Sequence, residues 1–384
     1  VVTVHIFGRT DVGKLRSTNQ DHMLIGNLDD DEVAELTEPD SFEVAPRGPL
    51  LVVCDGMGGA AGGEVASKLA AEVLWAEMRA AQQTDERPVF ARLMRRAVRV
   101  ANRRVFEEAS AAPKLRGMGT TLSAAGVVGD ALILAQVGDS RAYIHRGATL
   151  TQVTRDQSIV SALMHAGRMT RSEARSSGQS SVILQALGCD PDVEVSLSIV
   201  ELRAGDRLLL CSDGLHGVVD DTKLRAAMVS CGELGEAVRT LISLARNAGG
   251  PDNITALVAE FDGDGLKPPR NPEDLPRFVE IDPMEEGDRA MSTTSKVARR
   301  LAARAGIGDD PGPPVVPVTG QFVALGGDTA GASGARTRRK RARSGESGPA
   351  YDALRERSRL GLTGWLVVIL AVLAAVAVGL WGLS

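Results

Sequence analysis

The chain is 384 residues long, 43% hydrophobic and 24% charged, with aromatic side chains at 3% and a formal net charge of -5. That is enough for a sizeable aliphatic core in one large domain or two average ones. The acidic balance and scarce rings exclude a main domain that binds nucleic acid by charge and stacking. Four scattered cysteines without a Cys-x-x-Cys spacing, and five histidines without ligand spacing, argue against a disulfide scaffold and a His/Cys zinc site.

Residues 1–262 alternate strand and helix signals. Val2–Phe7 reads as a strand, Asp11 to Asp21 as a polar turn-rich stretch, and Asp29 to Asp40 as an acidic surface loop. The apolar run Leu50–Cys54 reads as a buried strand that delivers Asp55 into Gly56-Met57-Gly58-Gly59. Glycine lets backbone approach closely, and a carboxylate followed by inward-turning carbonyls suits a hard cation. Val65, Leu69, Val73 and Ala76 recur at helical spacing over Gly63–Arg79, and a second helix is expected over Val89–Ala109. Thr120–Val128, Ala131–Val137 and Arg141–His145 follow as strands, with Gly129-Asp130 marking a hairpin. A short helix over Ile159–Ala166 leads into a Ser/Gly/Arg-rich segment. Val193–Val200 and Arg207–Cys211 read as strands, Glu233–Asn247 as a strongly amphipathic helix, and Ile254–Phe261 as the closing strand.

Composition changes after Asp262. Residues 263–359 read as a disordered linker, rich in Pro, Gly, Ala and acidic residues over 263–335, with a transient helix near Thr294–Ala305. A basic cluster follows at Arg336, Arg338, Arg339, Lys340, Arg341 and Arg343, positioned to attract anionic lipid. Residues 360–384 carry no charge and hold Trp365 and Trp381 near their ends, so a single transmembrane helix is expected there. Arg355, Arg357 and Arg359 place its N-terminal flank, and residues 1–262, on the cytoplasmic side of the cell membrane.

Four aspartates share one setting, a strand end or a Gly-bounded turn: Asp55, Asp139, Asp213 and Asp252, with Asp21 a fifth in Asn19-Gln20-Asp21. Each alone is a common turn or cap residue. Together, on neighbouring strands, they would repel one another unless divalent cations with a taste for oxygen, Mg2+ or Mn2+, neutralise them.

On these residues the sequence resembles the bacterial branch of the metal-dependent type 2C serine/threonine protein phosphatases. The resemblance runs in order through Arg16 to Asp21, Asp55 to Gly59, Gly119-Thr120-Thr121, Gly138 to Arg141, Ser212 to Leu215 and Asp252 to Thr255. It implies an α+β fold, an αββα sandwich of two antiparallel sheets flanked by helices, over residues 1–262. It also implies two metal ions: Asp55 bridging both, the Gly56 carbonyl on one, Asp213 and Asp252 completing the other, and Asp21 joining through water. The aspartate matching Asp139 helps bacterial members hold a third, weaker ion, and Arg16 matches the arginine that holds the substrate phosphate. The expected activity is hydrolysis of phosphoserine and phosphothreonine on proteins, opposing Ser/Thr kinases, with those kinases and their substrates as partners and no nucleic acid. Where relatives usually place a histidine after the Gly-Gly, thought to protonate the leaving group, this chain has Ala60. Two other readings stay open at this point: an inactive pseudophosphatase tethered as a phosphoprotein-binding regulator, and a lipid-surface scaffold in which the tail is the function. Arg168, Arg171 and Arg175, in the stretch that matches a variable flap, could meet acidic or phosphorylated segments.

Overall fold

A computed structural model describes residues 1–28, 39–44, 47–170, 173–174, 182–271 and 274–282 of the chain. All of these lie in one compact unit, Val1–Phe322, while the unit Val323–Ser384 falls wholly outside the described residues. Also outside them are residues 29–38 of the expected acidic loop Asp29–Asp40, Arg171 and Arg175, the Thr294–Ala305 helix, the basic cluster and the membrane helix at 360–384. Among the described residues no helix is long and apolar enough to cross a membrane.

The strands are β1 Val2–Asp11, β2 Asp21–Asn27, β3 Asp40–Val44, β4 Pro49–Met57, β5 Gly119–Thr120, β6 Leu122–Val128, β7 Ala131–Val137, β8 Arg141–Arg146, β9 Thr149–Gln152, β10 Ser196–Glu201, β11 Asp206–Cys211, β12 Ile254–Asp262 and β13 Phe278–Ile281. The helices are α1 Gly59–Ala80, α2 Arg87–Ala111, α3 Ile159–His165, α4 Asp213–His216, α5 Asp221–Ser230 and α6 Leu234–Asn247. One sheet has the order β3-β1-β12-β11-β8-β9 and the other β13-β10-β7-β6-β4-β2. The pairings within both are antiparallel.

Strand alternation explains the layering. Leu51 and Val53 of β4 face Val4, Ile6, Leu208, Leu210, Leu257 and Phe261 of the other sheet in a central core. Their neighbours Leu50, Val52 and Cys54 point the opposite way, against Leu74, Met78, Phe90 and Met94 of α1 and α2. A strand covered on both faces needs apolar residues at consecutive positions, which is why β4 reads as an unbroken run rather than an alternation. On the far side, Leu209, Cys211, Ala256 and Val258 meet Leu234, Val238, Leu241 and Ile242 of α6. The helices therefore form two outer layers and the sheets two inner ones, the expected αββα sandwich.

Several elements depart from the sequence expectations. β2 was hidden because its apolar core is only Met23, Leu24 and Ile25, followed by Gly26, whose missing Cβ leaves room for the Trp75 ring. The edge strands β3 and β9 and the short helices α4 and α5 have too few periodic positions to register. Helix α1 begins at Gly59 rather than Gly63, and Thr120–Val128 is two strands, β5 and β6, rather than one. The largest difference lies past residue 262. There Leu266 is buried, Phe278–Ile281 pairs with β10 along the sheet edge, and Asp274 sits beside Arg146 and Arg203. Residues 263–271 and 274–282 thus fold onto the sandwich instead of opening the linker.

Candidate active site

The strand registers gather the predicted carboxylates on one rim. Asp21 opens β2 directly opposite Asp55 near the end of β4. β11 ends at Cys211 two residues before Asp213, and its partner β12 starts two residues after Asp252. Asp139 precedes β8, whose first residue Arg141 pairs with that same Cys211. An open cavity of about 500 Å³ sits at this rim, lined by Arg16, Asp55, Gly56, Asp139, Asp213 and Asp252 together with Thr121, Ile183 and neighbouring backbone. Asp21 lies just behind the lining, buried, where Ser212 Oγ and Thr255 Oγ1 each donate to its Oδ2 at 2.7 Å.

Backbone clamps fix these groups. Asp55 N–H donates to Thr121 Oγ1 at 3.0 Å, and the Thr120 hydroxyl and Thr121 N–H donate back to Asp55 O, each at 2.9 Å. This is what the Gly119-Thr120-Thr121 stretch does. Gly56 passes so close to its neighbours that a Cβ there would stand 2.1 Å from Gly63 O and 2.5 Å from Gln20 O. Gly214 is as constrained, with a Cβ meeting Asn253 O at 1.9 Å. Asn253 organises the Arg16 loop: its Nδ2 donates to Val12 O at 3.0 Å and Thr18 O at 2.9 Å, and its Oδ1 accepts from Gln20 N–H at 2.8 Å. Arg16 itself is half-exposed and donates to Asp252 Oδ2 at 2.8 Å. In the sequence Asn253 and Thr121 are ordinary members of short motifs; their roles as clamps depend on partners more than sixty residues away.

The electrostatics are those of an acidic nest short of cations. Burial raises the carboxyl of Asp21 to about 7, with Asp213 and Asp252 adding to the rise. Burial likewise raises Asp139 to about 7, helped by Asp213 and Asp156. Asp55 is driven well above the ordinary carboxylate range by burial and then by Asp21, Asp213, Asp139 and Asp252, and Asp213 is raised by burial and by Asp252. Asp21 Oδ1 is buried without a hydrogen-bond partner. Among the described residues no group of three or more His, Cys, Asp and Glu side chains is gathered closely enough to hold a metal ion by itself. The donor set is instead an open one, carboxylates plus the Gly56 backbone and solvent, which fits hard oxygen-seeking ions better than zinc. An orphaned carboxylate oxygen and a rim of mutually raised carboxylates are what bound divalent cations would satisfy.

The histidines are elsewhere. His216, in α4, is half-buried with Nε2 3.0 Å from Asp139 O, and loss of solvation with Arg141 nearby pushes it down to about 3. His22 is half-buried near Glu72 and Lys68 of α1, lowered by burial. Neither lines the cavity. Ala60 falls in the first turn of α1. Cys54 and Cys211 are fully buried in the two outer cores, consistent with structural thiols. Arg168 is exposed and does not line the cavity. Arg141 instead makes a two-pronged pair with Asp156 at 2.6–3.1 Å, bracing the rim from below.

The family model for protein phosphatase 2C matches residues 21–246. Among curated proteins, the serine/threonine protein phosphatase PstP of Mycobacterium tuberculosis is 40% identical over 256 residues, covering 66% of this chain and 44% of that one. The serine/threonine phosphatase stp of Listeria welshimeri is 34% identical over 260 residues, covering 67% of this chain and 96% of the other. The chain thus spans under half the length of its mycobacterial relative. A crystal structure of the M. tuberculosis phosphatase PstP/Ppp superposes with a TM-score of 0.58 at 37% identity, covering 68% of this chain and 100% of that one. The catalytic domain of PstP in complex with two manganese ions superposes with a TM-score of 0.56 at 35% identity, covering 68% and 100%. Matched fold, rim chemistry and sequence agree, and the chain belongs to the protein phosphatase 2C family.

Proposed function

We propose that this protein hydrolyses phosphoserine and phosphothreonine on other proteins, using divalent metal ions held at the carboxylate rim. One observation carries the reading: the cavity is lined by Asp55, Asp139, Asp213 and Asp252 against a single cationic side chain, Arg16, among its described residues. Such a surface would repel a phosphate dianion unless cations covered it. Asp55, the Gly56 carbonyl, Asp213 and Asp252, with Asp21 behind them, would hold two Mn2+ or Mg2+ ions, and Asp139 would help hold a weaker third. When bound, such ions neutralise phosphate charge and lower the pKa of a water towards neutrality, supplying the nucleophile.

The chain's own residues set the rest. Arg16 presents a planar fork suited to two phosphate oxygens, and its loop is fixed by Asn253. Thr120 and Thr121 hold the Asp55 backbone in place. No histidine lines the cavity among the described residues, and in this reading a water protonates the departing oxygen. A positioned acid contributes about 10²–10⁴-fold, so aryl phosphates, with their better leaving groups, are expected to outrun alkyl phosphates by more than in a relative that carries the histidine. The test is turnover of a phosphothreonine peptide by the full chain against Mn2+ concentration. Activity should rise with Mn2+ and stop with EDTA; turnover indifferent to chelation would remove the metal assignment.

The uncharged stretch 360–384 and the Arg336–Arg343 cluster support a further part of this reading: a single-pass anchor, a catalytic unit on the cytoplasmic side, contact with anionic lipid, and Ser/Thr kinases as functional partners. Alkaline carbonate extraction of cell membranes checks it. An anchored chain stays in the pellet, and release into the supernatant would contradict the anchor.

A further inference from the structure

Gln157 has no part in the reaction just described, yet both its backbone and its side chain are bonded into the walls of the site. The chain leaves β9 for α3 through Asp156-Gln157-Ser158 and returns through Val182 to Leu187. The two passes are tied together: Ile159 N–H donates to Val182 O at 3.0 Å, Leu184 N–H donates to Gln157 O at 2.7 Å, and Ser158 bridges Ile183. Ile183 is a wall of the cavity. On its other side Gln157 clasps the turn that carries Asp139. Gln157 N–H donates to Gly138 O at 2.9 Å, and Gly138 N–H donates back to Gln157 Oε1 at 2.8 Å. The side chain is itself held, since Oε1 also accepts from Gln185 Nε2 at 2.9 Å and Nε2 donates to Ser196 Oγ at 3.0 Å.

Gly138 adopts a φ of 93°, open to glycine and strained for other residues, so the Asp139 turn has a backbone shape that neighbours must hold. His216 holds it from below through Asp139 O, and Gln157 holds it from the flap side. Groups that orient a metal-binding carboxylate raise its affinity without touching the ion.

We propose that Gln157 is a positioning residue that sets two things at once: the Asp139 carboxylate and the Ile183 wall against which a residue flanking the phosphorylated side chain would lie. Ion affinity at Asp139 and peptide fit at Ile183 are therefore coupled through one side chain. The proposal rests on the metal reading of the rim given above.

Gln157→Met keeps the length of the side chain and removes its hydrogen bonds. In the full chain, purified in detergent, Mn2+ calorimetry without substrate should show the weakest site losing affinity by about threefold to tenfold, the effect of one or two neutral hydrogen bonds, while the tighter sites hold. KM for a phosphothreonine peptide should rise by a similar factor, with kcat at saturating Mn2+ falling by less. Gln185→Met, which removes the bond to Gln157 Oε1 together with two to the Glu194 backbone, should shift both readouts the same way by a smaller factor, and it decides the matter alone should Gln157→Met not fold. If either variant melts at a lower temperature but keeps wild-type Mn2+ binding and peptide KM, Gln157 is scaffold and the proposal fails. Wild-type protein that binds no Mn2+ would instead sink the metal reading, an outcome visible before any variant is made.

Discussion

A carboxylate that resists ionisation in the folded state makes stability depend on pH in a definite direction. Asp21 and Asp139 are raised to about 7, chiefly by burial, and Asp55 and Asp213 are raised with them. Unfolded aspartate titrates near about 3.9, so the folded metal-free protein holds its protons more tightly than the unfolded chain. The stabilisation is complete below about pH 4 and is lost as pH climbs through about 7. Metal-free protein should therefore melt at progressively lower temperature from pH 5 to pH 8, and Mn2+ should restore it most at the upper end. Asp139→Asn should raise the metal-free Tm at pH 8 by about 2–4 °C, the shift expected from roughly 1 kcal/mol in a domain of this size. A Tm flat with pH under EDTA would contradict the assignment. Asp55→Asn should remove turnover by at least about 100-fold, since Asp55 is under the charge of Asp21, Asp213, Asp139 and Asp252 together, and full activity in that variant would refute the metal role.

At the scale of elements, the outer helices sit where the sheets leave room for them. Gly126 of β6 lies under α2, and a Cβ there would stand 2.6 Å from the Phe90 ring, which is fully buried. Gly126→Val should cost about 1–3 kcal/mol through overpacking, seen as a lower urea midpoint with an unchanged slope and with kcat intact below the transition. The helices themselves were legible from sequence: α6 announces its buried face through Leu234, Val238, Leu241, Ile242 and Ala245 at helical spacing. β2 was not, although it carries Asp21. A three-residue apolar core flanked by polar loops says nothing locally, and only pairing with β4 makes it a strand. The same holds for the clamps, because Asn253 and Thr121 have roles only through residues brought to them by the fold.

At the scale of the molecule, the folded unit outruns the boundary that composition suggests. Arg146 and Arg203 are almost fully buried, and Asp274 lies 3.9 Å from the first and 3.5 Å from the second. Further on, Asp282 accepts from the buried Arg95 of α2 at 2.6 Å. A chain ending at residue 262 loses both carboxylates, Leu266 and strand β13. It should melt at least about 4 °C below one ending at residue 282, equal to roughly 2 kcal/mol. Equal melting temperatures would mean the extension is only decoration. The segment was missed because four residues of edge strand inside a Pro- and Glu-rich stretch carry no period of their own, and its partners lie on β10 and α2.

The chemistry is legible along the linear chain: acidic residues at strand ends and Gly-bounded turns, an arginine in a polar loop, no thiol or histidine spacing for another mechanism, and apolar runs that must be buried on two faces. These are local properties, readable wherever the chain happens to go. Long-range packing sets which carboxylates face the cavity and which, like Asp21, stand behind it, how Asn253 and Gln157 fix the walls, and where the folded unit stops. Those outcomes depend on contacts between residues far apart in the chain, and a linear pattern does not encode the distances between them.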